Sequence, residues 1–63
     1  MNSNIDYINL MDVAKINLAK KINDVVDLYK KEKTIERKQE LINLIEDRKR
    51  IFLFDKITIE KYL

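Results

Sequence analysis

The residues that could do chemistry are few in this chain. The sequence contains no Cys and no His, so it offers no thiolate or imidazole to act as a nucleophile, general base or zinc ligand. Ser3 is the only Ser, and it stands just before the first predicted helix, where a capping role is the simpler interpretation. We therefore expect no enzymatic activity, no cofactor and no small-molecule substrate.

Carboxylates are the remaining groups that could bind a metal ion or form an acid–base pair. Two of the three acidic pairs have the spacing of neighbours on one helix face. Each pair also lies among Lys or Arg residues that neutralise it, and two helices form no pocket that excludes water. Solvated charge without a metal site is thus the favoured interpretation for Asp24 with Asp27, Glu36 with Glu40, and Glu46 with Asp47.

Positive charge is concentrated in segment 30–38, where five Lys or Arg stand against two Glu, an excess of +3 in a chain whose net charge is +2. Such a segment can neutralise phosphates, and a second basic run at 48–50 could extend it. No aromatic residue interrupts the segment, so a solvated turn is the simpler interpretation. The possible phosphate contacts are Lys30, Lys31, Lys33, Arg37, Lys38, Arg48, Lys49 and Arg50.

The elements that would position these groups are helices. The chain has no Gly and no Pro, and its Leu, Lys, Glu and Arg residues favour helix. Apolar periodicity predicts one helix over residues 4–31 and another over 34–54, with Thr34 as N-cap and Glu36 in the first turn. The apolar stripes are Ile8, Met11, Ala14, Leu18, Ile22, Val25, Val26 and Tyr29, followed by Leu41, Leu44, Ile45, Ile51 and Phe52.

The two stripes are out of phase by roughly 120° if one straight helix runs through residues 30–38. The sequence therefore predicts an antiparallel hairpin that turns at residues 31–34. One bent helix of about 50 residues is the alternative, because no Gly marks a helix end. Arg48 interrupts the second stripe opposite Leu18, and we expect its charged end to reach the rim of the helix pair.

The last nine residues allow two interpretations. Alternation of Ile57 and Ile59 with polar residues suits a strand. Thr58 could instead cap a short helix, with Ile57 and Tyr62 as a hydrophobic staple, and this is the interpretation that we favour.

The predicted fold class is all-α: one domain over residues 1–63, built as an antiparallel two-helix hairpin with a short C-terminal element and completed by oligomerisation or a partner. A chain this short buries only about 60% of its unfolded surface, and neither a disulfide nor zinc can reinforce it. Apolar residues beyond the main stripes, together with the C-terminal aromatic and aliphatic residues, predict a protein interface made of Ile5, Val13, Ile16, Phe52, Phe54, Ile57, Ile59 and Tyr62.

The leading functional hypothesis is a protein–protein interaction module, a small regulator, inhibitor or assembly factor that binds itself as a homodimer or binds a larger protein. A nucleic-acid-binding regulator is the alternative, and a minor structural subunit of a virion or other large particle is a third hypothesis. Binding through apolar helix faces predicts weak salt dependence, whereas phosphate contacts predict a steep loss between about 50 and 200 mM salt.

Location and origin are predicted only in outline. The longest apolar run, Ile51 to Phe54, is far shorter than the roughly 18 residues that suggest a membrane span, and the N-terminus lacks the pattern of a secretory signal. We therefore expect a cytoplasmic protein with no membrane partner. Ten Ile, ten Lys and six Asn indicate an AT-rich genome, such as that of a low-GC bacterium, its phages, or an AT-rich eukaryote or virus.

Overall fold

A computed structural model describes the backbone of residues 3–63 and the side chains of residues 7–63. The chain folds as three helices: α1 over Ser3–Lys31, α2 over Ile35–Phe52 and α3 over Lys56–Lys61. The helices α1 and α2 pack as an antiparallel hairpin, which confirms the predicted all-α fold and excludes one long bent helix. Over residues 3–63 there is no strand, so the C-terminal segment takes the helical alternative.

The first turn reverses the chain without a glycine. Thr34 has extended backbone angles, and its Oγ1 accepts a hydrogen bond from the Arg37 amide at 3.2 Å, which confirms the predicted N-cap. The amide of Glu32 donates to the Leu28 carbonyl and that of Thr34 to the Glu32 carbonyl, both at 2.9 Å. These bonds satisfy backbone groups at the end of α1, and no residue from Lys31 to Lys33 has a positive φ.

The second turn uses a left-handed residue that is not glycine. Phe54 has a φ of 61°, and its amide donates to the Ile51 carbonyl at 2.9 Å while the Asp55 amide donates to the Arg50 carbonyl at 3.0 Å. These two bonds form a Schellman motif at the end of α2. The motif ends the helix sharply and directs α3 back across the open end of the hairpin.

The C-terminal helix begins differently from the prediction. Asp55, not Thr58, is the N-cap residue of α3, and the Thr58 hydroxyl donates to the Asp55 carboxylate at 2.7 Å. Ile57 is 80% exposed and Tyr62 is buried, so the predicted hydrophobic staple between them is wrong. The reason is that α3 begins three residues earlier than a Thr58 cap would allow, which turns Ile57 outward.

The core lies along the α1–α2 contact and continues under α3. Asn17 of α1 helps to fix α3 in place, because its Nδ2 donates to the Tyr62 carbonyl oxygen at 2.7 Å. Phe54 packs edge-on against Tyr7, with ring centroids 6.2 Å apart. The buried apolar residues are Ala14, Leu18, Val25, Leu44, Ile51, Ile59 and Tyr62.

The molecule is a thin rod rather than a sphere. Its Cα atoms extend over 47 × 15 × 13 Å, and their radius of gyration is 13.3 Å, compared with about 10.6 Å expected for a compact chain of this length. The accessible surface is 4828 Å², whereas a folded monomer of 7.6 kDa is expected to expose about 4,300 Å². Two helices side by side therefore leave surface that a thicker fold would cover.

Candidate protein interface

The helix α1 carries two adjacent apolar seams whose members recur at intervals of three, four or seven residues, as in a bundle helix. The first seam faces α2 and supplies the core residues Ala14, Leu18 and Val25. The second seam lies roughly 80° around the helix and is half-buried or exposed. Its members are Ile8, Lys15, Ala19, Ile22 and Val26.

The helix α2 repeats this arrangement. Leu44 and Ile51 face α1 and are buried, with Leu41 partly buried beside them. A second seam on the adjoining side of α2 follows the same spacing, and it is likewise half-buried or exposed. Its members are Lys38, Ile42, Ile45, Lys49 and Phe52.

The two second seams lie on the same side of the hairpin. The Nζ of Lys15 stands 4.6 Å from the ring centroid of Phe52, which joins the seam of α1 to that of α2. The helix α3 covers the opposite side, where Asn17 bonds the Tyr62 carbonyl and Asp47 bonds Tyr62 and Lys61. We call the uncovered side the open face. It consists of the ten residues of the two second seams.

Most side chains of the open face are apolar, and its charged residues, Lys15, Lys38 and Lys49, are all basic. Ile8 is 56% exposed and Phe52 is 61% exposed, although both are large apolar side chains. Lys15 is the one charged residue of the α1 seam, and the cation–π contact with Phe52 holds its ammonium group over the apolar surface. A bundle helix with two neighbours needs two such seams, so the open face has the pattern of a helix-packing surface that no helix in residues 3–63 occupies.

Asp47 fastens α3 to the other side of α2. Its carboxylate accepts hydrogen bonds from the Tyr62 hydroxyl, from Nζ of Lys61 at 2.9 Å and from Nη1 of Arg50 at 2.9 Å. Burial raises the pKa of the Asp47 carboxyl, but the three donors outweigh it, so its pKa lies below the ordinary 3.8. The prediction that Asp47 is a solvated charge is therefore wrong, because Tyr62, fifteen residues later, covers it.

Tyr62 is the partner that closes this network. Burial and the hydrogen bond to the Asp47 carboxylate both raise the pKa of Tyr62 far above its ordinary 10.0. Tyr7 makes a similar contact near the open end, where its hydroxyl donates to the Glu60 carboxylate and raises the pKa of Tyr7. Both tyrosines thus tie α3 to the hairpin through carboxylates that act as acceptors.

The predicted interface residues do not form one patch. Ile59 and Tyr62 are buried in the chain's own core, so they cannot meet a partner while α3 is docked, which corrects the prediction for these two. Phe54 is also partly buried, because it packs against the core. Only Phe52 of the predicted set lies on the open face. Ile22, which the sequence placed in the core-forming stripe, is partly buried and packs against the core, whereas Ile8 of the same stripe is exposed.

The remaining predicted interface residues lie elsewhere on the surface. Val13 and Ile16 are exposed on the side of α1 that faces away from α2, and Ile57 is exposed on α3. The side chain of Ile5 falls outside the described residues.

The basic residues are spread over the surface of the hairpin, and two of them, Lys38 and Lys49, lie on the open face. Arg37 pairs with Glu40 at 3.5 Å and Arg50 pairs with Asp47, so these two guanidinium groups already have carboxylate partners. Arg48 is exposed, which agrees with the expectation that its charged end reaches the rim of the helix pair. The other possible phosphate contacts, Lys30, Lys31, Lys33, Lys38 and Lys49, are also exposed.

The part of the chain that the structure describes has no cavity or pocket, and no three of its Asp or Glu side chains come together where they could hold a metal ion. None of its helices is long and apolar enough to cross a lipid bilayer.

Comparisons of the sequence with protein-family models and with curated proteins, and of the fold with solved structures, found no match.

Proposed function

We propose that this protein is a non-enzymatic protein–protein interaction module, a small regulator, inhibitor or assembly factor that binds a helical partner through its open face. The proposal keeps the cytoplasmic location predicted from the sequence. A folded partner with its own apolar helices would complete the bundle that two helices leave half-built.

One observation carries the proposal: heptad-spaced apolar seams on both long helices lie on the single side of the hairpin that α3 leaves uncovered. Small folded proteins bury such seams, because exposing Phe52 and Ile8 to water costs about 25 cal/mol per Å² of apolar surface. The surplus accessible surface of about 500 Å² is smaller than the ~800 Å² that each partner buries in a standard interface, so it corresponds to a small contact.

Photo-crosslinking in the source cells tests this proposal. A photoreactive residue in place of Ile42 should form protein adducts, and the substitution Phe52→Glu in the same chain should abolish them. Glu at position 52 can pair with Lys15, so the free hairpin keeps its fold while the open face gains a buried charge on binding. Val13→Glu, on the far side of α1, is the matched control and should leave the adducts unchanged. Adducts that survive Phe52→Glu would contradict the proposal.

A second candidate, nucleic-acid binding, is favoured by the five exposed Lys residues at the turn and along α2. Phosphate contacts would make binding to a duplex fall steeply from about 50 to 200 mM salt, and Lys31→Gln with Lys33→Gln would weaken it further. Filter binding to duplex DNA and RNA over this salt range separates the two functions, because an apolar open face predicts partner binding that salt hardly changes.

A further inference from the structure

We propose that the open face binds a single amphipathic helix of a partner protein, and that this helix carries Asp or Glu beside its apolar stripe, on the edge that lies over α2. This inference rests on the proposed function, since it names the kind of helix that the same face receives.

The open face has the dimensions of a groove for one helix. Its seam on α2 runs from Lys38 to Phe52, a length of about 21 Å. The axes of two packed helices lie about 8–10 Å apart, so a third helix seated between them contacts both seams at once. A partner helix of about four turns therefore covers the apolar centre of the face. This centre includes Ile22, Val26, Ile42 and Ile45.

All the charge on the open face is positive. Lys38 and Lys49 are exposed and stand eleven residues apart, or about three helical turns, so they project from the same edge of α2. The ammonium group of Lys15 lies over the Phe52 ring. None of the ion pairs among the described residues involves these three Lys side chains. A partner without carboxylates would leave cations unpaired beside a buried apolar contact, which is unfavourable.

Carboxylates on a partner helix meet this requirement. Two Asp or Glu residues eleven positions apart lie on one edge of a helix, because eleven residues make about three turns. A helix that lies along α2 therefore places one carboxylate near Lys38 and another near Lys49 while its apolar stripe packs between the two seams. Such complementary charges at the rim of an interface select the partner and speed its association.

The negative charge nearest the open face lies outside the groove. Asp12 borders the α1 seam and Glu46 borders the α2 seam, each on the edge that points away from the other helix. A flat anionic bilayer would meet these carboxylates together with the Lys residues, whereas a helix seated in the groove meets the Lys residues. A second copy of the chain would bring the Lys residues of both copies together without a carboxylate between them, and like charges oppose association. The charges therefore favour an acidic helix.

Binding of two synthetic peptides to the purified full-length chain tests the proposal. Both peptides span about five helical turns and carry the same Leu stripe, but the residues beside the stripe are all Glu in one and all Lys in the other. These like charges also keep each peptide from pairing with itself. In fluorescence anisotropy at physiological salt, the Glu peptide should bind with a micromolar dissociation constant and at least about 30-fold more tightly than the Lys peptide.

Reversing the charge of the face should reverse this preference. Lys38→Glu with Lys49→Glu should weaken binding of the Glu peptide by at least about tenfold and tighten binding of the Lys peptide. Lys20→Glu with Lys31→Glu is the matched control, because these residues are also eleven positions apart but lie on the outer side of α1. It makes the same change in net charge and should alter both dissociation constants by less than about threefold. Circular dichroism checks that each variant stays helical, and the comparison of the two peptides on the unaltered chain needs no variant.

Other outcomes would overturn the acidic helix. Equal binding of the two peptides would show that charge does not select the partner, and binding of neither would show that the groove does not receive a helix. Binding to vesicles of anionic lipid without binding to the Glu peptide would assign the face to a membrane surface. A dimeric mass in light scattering without binding to the Glu peptide would assign it to a second copy of the chain.

The two proposals can fail separately. Phe52-dependent adducts with a protein in cells, without a preference for the Glu peptide, overturn the acidic helix and leave the proposed function standing. The absence of both the adducts and the preference contradicts both proposals.

Discussion

Asp47 shows how a single side chain decides where α3 lies. It is buried on the side of α2 that faces α3, and it accepts hydrogen bonds from Tyr62, Lys61 and Arg50. The two cationic partners are mostly exposed, so their charges remain solvated if Asp47 is lost. The buried hydroxyl of Tyr62 is different, because water cannot easily replace the carboxylate as its acceptor.

We therefore expect Asp47→Ala to lower the free energy of unfolding by about 2 kcal/mol, the cost of an unpaired buried hydroxyl together with lost charge-assisted hydrogen bonds. Glu46→Ala, which removes the exposed neighbouring carboxylate, should change it by less than about 0.5 kcal/mol. Urea denaturation followed by circular dichroism measures both values. Equal effects of the two substitutions would show that the Asp47 network does not hold α3.

The same network predicts how stability depends on pH. The pKa of Asp47 is lower in the folded chain than in the unfolded one, so its contribution is present above pH 3.8 and is lost as the pH falls below that value. The pKa of Tyr62 is raised on folding, so its contribution is complete below pH 10.0 and is lost as the pH rises above it. Urea midpoints measured from pH 2 to 11 should therefore fall at both ends.

Two conservative variants test this pH dependence. Asp47→Asn should weaken the acid fall of the urea midpoint, and Tyr62→Phe should weaken the alkaline fall. Tyr7→Phe is the companion control, because its raised pKa contributes to the alkaline fall without contacting Asp47. An alkaline fall that depends on Tyr7 and not on Tyr62 would contradict the assignment.

Among the elements, the end of α2 carries backbone strain. Phe54 adopts the left-handed conformation that glycine usually supplies at this position of a Schellman motif. A residue with a Cβ atom pays about 1–2 kcal/mol for this conformation. The packing of the Phe54 ring against Tyr7 and the partly buried position of Phe54 against the core offset that cost.

Comparing two substitutions at this position separates strain from packing. Phe54→Ala should lower the free energy of unfolding, because it loses the ring contacts and keeps the strained conformation. Phe54→Gly loses the same contacts but relieves the strain, so it should be more stable than Phe54→Ala by about 1 kcal/mol. Thermal and urea denaturation of both variants provide the test. A glycine variant less stable than the alanine variant would contradict the strain.

The molecule as a whole is too thin to bury its apolar surface alone. Its extents of 47 × 15 × 13 Å correspond to two helices side by side with a third across one end, and only seven apolar side chains are buried among residues 7–63. An isolated hairpin of this shape is expected to be marginally stable. Covering the open face would add the buried area that the single chain lacks.

If the open face binds a second copy of the chain, the melting temperature should depend on protein concentration. If dimerisation stabilises the fold, the melting temperature will rise by several degrees between about 5 and 500 μM, because association shifts the folding equilibrium by mass action. Phe52→Glu should remove this dependence, whereas Ile57→Glu, on the exposed side of α3, should retain it. Circular dichroism melts over this concentration range provide the measurement, and a constant wild-type melting temperature would contradict a stabilising association.

Local physics explains which predictions succeeded. Helix propensity, the spacing of apolar residues and the N-cap at Thr34 act within a few neighbouring residues, and they led to the right hairpin with α1 within one residue of its observed start and α2 within two of its observed end. The predicted interface included two core residues, Ile59 and Tyr62, and each apolar stripe is wide enough for two seams. Periodicity alone does not tell which seam faces α2.

The sequence by itself thus determined the helices, their turn and the surplus of apolar residues, because these follow from local propensity and composition. Only the tertiary structure decided that Asp47 is buried, that Ile59 and Tyr62 belong to the core, and that the open face is the side opposite α3. The physical reason is that these features depend on contacts between residues far apart in the chain. Where α3 docks is set by the left-handed turn at Phe54 and by the donors to Asp47, which no periodic pattern encodes.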